Sequence, residues 1–109
     1  MKPVTNLVFT GRDGKRYTFD VYPHNIRVND GPALYAFLKK LENRYFVLYI
    51  GQTTDLSERL KNHHKWDEAE RLGFKYLAIC RDVQARNLEA DEANLIQKYL
   101  PRCNEVVPH

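Results

Sequence analysis

Cysteine is scarce in this chain, with two residues, Cys80 and Cys103, among 109. They have neither zinc-site nor redox-motif spacing, so neither chemistry is expected from them. Cys80 closes an apolar run and reads as a buried thiol. No apolar run approaches membrane-spanning length, and the N-terminus lacks a signal-peptide pattern. These absences argue against a membrane partner and for a reducing, cytoplasmic compartment. Internal repeats, low-complexity segments and splitting linkers are also missing, so one compact domain is expected. A strong charge excess is missing too: the net charge is +3, which permits nucleic-acid binding without demanding it.

What is present fits an ordinary globular protein: 43% apolar, 28% charged, and seven tyrosines suited to half-buried strand positions. Residues 1–50 carry eight Lys/Arg against four Asp/Glu, and residues 51–109 carry nine against ten. Any basic surface must therefore arise by folding rather than from a tail.

Residues 5–10 and 16–22 read as strands joined by the turn Gly11-Arg12-Asp13-Gly14. Residues 23–32 read as a loop. Residues 33–38 and 45–50 form a second hairpin across a polar link from Lys39 to Arg44. Asp55 and Glu58 have capping-box spacing and open a helix reaching His63 or His64. A short helix over 67–72 stops at Gly73. A strand over 74–80 precedes a long helix over 84–100, which Pro101 ends. The expected fold class is α+β: a small mixed β-sheet flanked by helices, with an extra N-terminal β-hairpin. Residues 1–30 form that extension and residues 31–105 the domain core.

Three groups of residues carry the chemistry. On the first helix, Asp55, Arg59 and His63 are four apart and share a stripe, beside a leucine stripe of Leu56 and Leu60. Asp55–Arg59 by itself reads as a surface ion pair. On the long helix, Leu88, Glu92, Leu95, Ile96 and Tyr99 form the core-facing face. Glu89 and Asp91 point elsewhere, as solvated charges. Glu92 within an apolar stripe either pairs with a core arginine or binds Mg²⁺ or Mn²⁺, hard cations that take oxygen ligands. The third group is Pro101-Arg102-Cys103-Asn104, in which Asn104 is positioned to brace the helix end or a catalytic side chain. Together these groups point to a metal-dependent site that handles phosphate.

In this order and spacing the residues resemble the GIY-YIG nuclease superfamily over about 31–105. Ala33-Leu34-Tyr35 is similar to the first family tripeptide and Tyr49-Ile50-Gly51 to the second. Gln52 to Leu60 followed by His63 resembles the segment carrying the family arginine and histidine, with Gly51 and Thr53 in support. Glu92 and the trailing Asn104 resemble the metal-binding glutamate and its Pro-Arg-x-Asn. Ala33 replaces the family glycine.

The resemblance implies DNA endonuclease activity dependent on one Mg²⁺ or Mn²⁺. It implies Glu92 on the metal and Arg59 forked onto the scissile phosphate. One of Tyr35 and Tyr49 would activate water, Tyr35 being the first choice. A tyrosine with an ordinary pKa of about 10 needs help to become a phenolate, and His63 is placed to give it. Lys39, Lys40, Arg44, Lys61, His64 and Lys65 are candidate DNA contacts. Specificity would come from a DNA-binding partner protein, a homodimer, or recognition of DNA structure. A non-cleaving nucleic-acid-binding module, with Trp66 stacking on bases, is the alternative function. A zinc cluster of His24, His63 and His64 does not have structural-zinc spacing.

Overall fold

A computed structural model describes residues 2–104 of the chain, and the expected domain limits at residues 1 and 105 lie outside them. The strands are β1 (Thr5–Thr10), β2 (Arg16–Pro23), β3 (Ala33–Leu41), β4 (Arg44–Thr53) and β5 (Tyr76–Cys80). The helices are α1 (Leu56–Leu60), α2 (Trp66–Arg71) and α3 (Leu88–Tyr99), with a 3-10 turn over Ala85–Asn87 leading into α3. The strands form one sheet in the order β1-β2-β5-β3-β4.

The α+β class holds, but the expected mixed sheet does not: every strand pairing is antiparallel. The cause is the placement of β5 between β2 and β3. β2 and β3 point the same way, as do β4 and β5, and each of these like-directed pairs has a strand inserted between its members. The N-terminal hairpin is thereby built into the sheet, with Val21 opposite Ala78 and Tyr22 opposite Leu77.

The second hairpin is longer than its polar link suggested. Lys39, Lys40 and Arg44 lie within strands, and only Glu42 and Asn43, at φ 51° and 66°, make the turn. Two left-handed residues match the twist of a tight hairpin, so polar side chains extend along the strands to its tip. A register shift follows Phe37, whose partner is Tyr49, while Leu38 faces Val47. The extra residue, Leu48, puts Leu48 and Tyr49 on one face of β4.

The sheet is packed on both faces. Phe9, Phe19, Leu34, Ala36 and Ile50 meet Leu88 and Leu95 of α3 on one side. Tyr35, Phe37, Tyr49 and Leu77 meet Leu56 of α1 and Ala69 of α2 on the other. Cys80 and Cys103 are both buried free thiols, which burial pushes above the usual thiol range.

Asp91 corrects the reading of α3. It is not a solvated charge but 7% exposed. Its Oδ1 accepts from the Tyr17 hydroxyl at 2.9 Å and pairs with Lys15 Nζ at 3.1 Å. Asn94, one turn on, donates to the Tyr17 hydroxyl at 3.0 Å and to Asp13 Oδ1 at 2.8 Å. The Thr10 N–H reaches the Tyr99 hydroxyl at 3.0 Å. The first hairpin thus grips α3 over its whole length. Asp91→Ala is expected to cost about 1–3 kcal/mol, because it strips the buried Tyr17 hydroxyl of its acceptor; urea denaturation measures it.

Candidate functional site

The site forms where β3, β4 and α1 meet. Tyr35 is fully buried on β3 opposite Gly51 of β4. A Cβ at Gly51 would collide with the hydroxyl end of the Tyr35 ring. The glycine is therefore required by close approach: its backbone is the surface on which Tyr35 lies. Gly51→Ala is expected to displace Tyr35 by about an ångström, which costs on the order of 100-fold in a reaction dependent on that oxygen. It is also expected to cost about 1–3 kcal/mol by overpacking. Cleavage rates and thermal melts check the two effects separately.

Three side chains meet Tyr35. His63 Nε2 is 2.8 Å from its hydroxyl oxygen, and Arg59 Nε donates to that oxygen at 3.3 Å. The Tyr49 ring lies 6.1 Å from the Tyr35 ring and 5.0 Å from the His63 ring, centroid to centroid. The expected Asp55–Arg59 ion pair is not among the ion pairs of the described residues. Arg59 instead turns onto Tyr35, so the stripe position chosen for it points into the site.

His63 reaches the site by another route than expected. α1 ends at Leu60, and Asn62 takes a left-handed φ of 53°. His63 therefore lies in a turn beyond the helix, not on its stripe. It is 6% exposed, beneath Tyr49 and Phe37. Its Nδ1 accepts the Lys65 N–H at 3.0 Å. A nitrogen that accepts from a backbone amide carries no proton, so Nε2 holds the imidazole hydrogen and donates to Tyr35.

Burial first, then the Arg59 guanidinium and the neighbouring His64, pulls the His63 pKa down to about 4. His63 is thus a neutral donor at pH 7. Its pKa in the folded state lies below the ordinary 6.5, so the unfolded chain binds the proton more readily between these values. The stability that His63 contributes is complete above about pH 6.5, and is lost as pH falls through about 4. The full loss is roughly 3 kcal/mol. Melts of the wild type and His63→Asn between pH 7 and 4 are expected to converge by about that amount.

Tyr35 has its pKa raised, chiefly by burial and next by Tyr49, while Arg59 opposes the rise. It holds its proton at neutral pH. Two N–H groups aimed at its oxygen favour the phenolate once the proton leaves.

Glu92 approaches from the opposite layer of the molecule. α3 packs on the other face of the sheet, and Glu92 is half-buried where that helix passes the end of β4. The Gln52 backbone amide and, through space, Arg59 both favour the charged form of its carboxyl. Burial outweighs both and raises its pKa. A half-desolvated carboxylate with one amide and a distant guanidinium fits an oxygen ligand for a hard cation. Mg²⁺ commonly takes one or two carboxylates and fills its shell with water and phosphate oxygens. Among the described residues no three His, Cys, Asp or Glu side chains group to hold an ion. The histidine zinc cluster is therefore not formed: His24 stacks on Trp66 and reaches Glu70, and His63 faces Tyr35.

The supporting residues act on the backbone. The Thr53 hydroxyl accepts the Asp55 N–H at 3.0 Å and donates to the Asp55 carbonyl at 3.1 Å, shaping the turn that delivers Arg59. Asn104 braces neither the helix end nor a catalytic side chain. Its amide accepts the Ile50 N–H at 2.9 Å and donates to the Ile50 carbonyl at 2.8 Å, clamping the residue between Tyr49 and Gly51.

A cleft of about 590 Å³ opens beside these groups, lined by Arg59, Gln52, Thr53, Arg86 and Glu89 among others. Arg86 was not among the sequence candidates; a lone basic residue before a helix carries no signal until folding sets it on the cleft wall. Of the expected DNA contacts, His64 stacks on His63 at 4.8 Å, and Lys61 and Lys65 lie on the segment around it. Lys39, Lys40 and Arg44 are not brought to the site. They lie four and five residues along β3 from Tyr35 and seven along β4 from Gly51, roughly 13–23 Å away at strand rise.

No helix among the described residues is long and apolar enough to cross a membrane. No family model, curated protein or solved structure matches the chain.

Proposed function

We propose that this protein is a divalent-metal-dependent DNA endonuclease of the GIY-YIG kind. The observation that carries the reading is the convergence of Tyr35, Tyr49, Arg59 and His63 on one oxygen-rich point, with Glu92 arriving from the opposite layer against Gln52. Four of these side chains meet at the Tyr35 hydroxyl, and Glu92 lies near enough for Arg59 to act on it through space, where a packing role alone would not require a carboxylate.

Each side chain then has a task. Arg59 lines the cleft and lies over the Tyr35 oxygen, which is fully covered. A phosphate entering the cleft draws the guanidinium onto itself, with the geometry that suits its fork. That movement uncovers Tyr35, whose proton passes to solvent. The resulting phenolate, stabilised by His63 Nε2–H without a change of charge on the imidazole, then takes the proton of the attacking water and becomes the phenol again. Tyr49 orients the water or phosphate from the neighbouring ring position. Mg²⁺ or Mn²⁺ at Glu92 would supply Lewis-acid and leaving-group stabilisation.

Purified protein incubated with supercoiled plasmid and with branched DNA, with and without Mg²⁺ or Mn²⁺, tests the reading. Metal-dependent nicking or cutting is expected. Absence of cleavage, or cleavage that survives both Glu92→Ala and Arg59→Ala, defeats it. DNA binding without cleavage would favour the binding module instead.

A further inference from the structure

A second cavity, of about 590 Å³, lies between α1, α2 and the loop over 24–32. Its wall is Trp66, the one tryptophan of the chain, stacked on His24 at 5.9 Å and 11°. Ile26 and Leu60 line it as apolar groups, and Arg27 and Lys61 as exposed cations. Every ionisable group lining it is basic; Glu58 lies 3.5 Å from Lys61 and Glu70 3.3 Å from His24, outside the lining. The Lys61–Glu58 pair is 67% and 71% exposed, a surface contact that holds Lys61 weakly. Arg27 has no hydrogen bond or ion pair among the described residues.

Leu60 and Trp66 also line a neighbouring space of about 440 Å³, together with Asn62, His63, His64 and Asp67. Arg59, on the first cleft, and Leu60, on this cavity, are consecutive residues at the end of α1. A strand with one phosphate at Arg59 would pass His64 to reach Trp66.

An aromatic wall, apolar groups and cations without a lining carboxylate match a nucleobase and its phosphate. We infer that the cavity at Trp66 holds an unpaired nucleotide of the DNA strand bound at Arg59, the base against Trp66 and Leu60 and its phosphate at Arg27 and Lys61. The inference rests on the nuclease reading for the identity of its strand. It gives that site a preference for DNA with single-stranded character, since a base held in a duplex cannot enter.

The test uses Glu92→Gln protein without metal, so that binding is separated from cleavage. A single-stranded dT oligonucleotide is expected to quench Trp66 fluorescence saturably. The same backbone without bases should bind at least about five-fold more weakly, as loss of one stacked base implies. The Arg27→Ala/Lys61→Ala double variant should bind more weakly and lower the salt slope by roughly 0.7, the value for one phosphate contact on a single strand. No quenching, equal binding of the base-free strand, an unchanged salt slope, or free thymidine monophosphate binding as tightly as the strand overturns the inference. A wild-type protein that quenches in this way but never cleaves defeats only the nuclease reading. One that cleaves without the quench defeats only this inference.

Discussion

Glu92→Gln is expected to lower metal-dependent cleavage by about 10³-fold, the loss of roughly 4 kcal/mol of transition-state stabilisation. Glutamine keeps the shape of the side chain and removes the charge that a divalent cation needs. The same change is expected to leave the fold intact and to raise the melting temperature. The sign follows from the raised pKa of Glu92, which burial produces. The folded state holds the proton more tightly than the unfolded chain, so ionisation above the ordinary carboxylate range works against folding. A neutral amide removes that opposition, a trade common at functional carboxylates. Cleavage assays, Mn²⁺ titration calorimetry and melts at neutral pH separate the effects. Undiminished cleavage would remove Glu92 from the mechanism. A large drop in melting temperature would show it to be a structural partner of Arg59 instead.

Tyr35→Phe carries the second large effect. Loss of the hydroxyl is expected to reduce the cleavage rate by about 10²–10⁴-fold, the range for a positioned proton acceptor. The two N–H donors of His63 and Arg59 lose their shared acceptor. DNA affinity is expected to change little, because Arg59 is then freer to meet phosphate. The pH profile is the sharper readout. A tyrosine held protonated by burial makes the wild-type rate climb through the alkaline range as the phenolate forms. In Tyr35→Phe that climb should vanish, whereas Tyr49→Phe should lower the rate and keep it. The reverse pattern would exchange the roles of the two tyrosines.

The local elements were largely legible from residue order. β1 begins and ends where its alternation placed it, and Asp55 accepts the Glu58 N–H as its spacing indicated. Glycine at 73 and proline at 101 stop the helices before them by backbone chemistry that needs no partner. Other features depended on distant chain. A helical projection set Glu92 inside and Asp91 outside, yet both leave solvent. Glu92 lies in the apolar stripe and Asp91 at its edge, and whether each meets protein depends on what packs there: the first hairpin beside Asp91, the end of β4 beside Glu92.

His63 shows the same division more sharply. Its spacing from Arg59 pointed to it for the wrong reason, since α1 is too short to carry it. A helix of five residues does not persist unaided, and its length is set by the Leu56 contact and the left-handed turn at Asn62. The basic residues 39, 40 and 44 were adjacent to the motif in sequence and are remote in space, because an extended strand separates residues by about 3.3 Å each.

By itself, then, the order of residues determined the strands, the capped and terminated helices, and which side chains carry reactive groups. Those depend on backbone preferences and periodicity within a few residues. Only the tertiary structure decided that β5 inserts between β2 and β3, that the sheet is antiparallel throughout, and that Glu92 meets Gln52 from the opposite layer. Those relations join segments dozens of residues apart, and the burial of two opposed apolar faces, rather than any local pattern, selects among them.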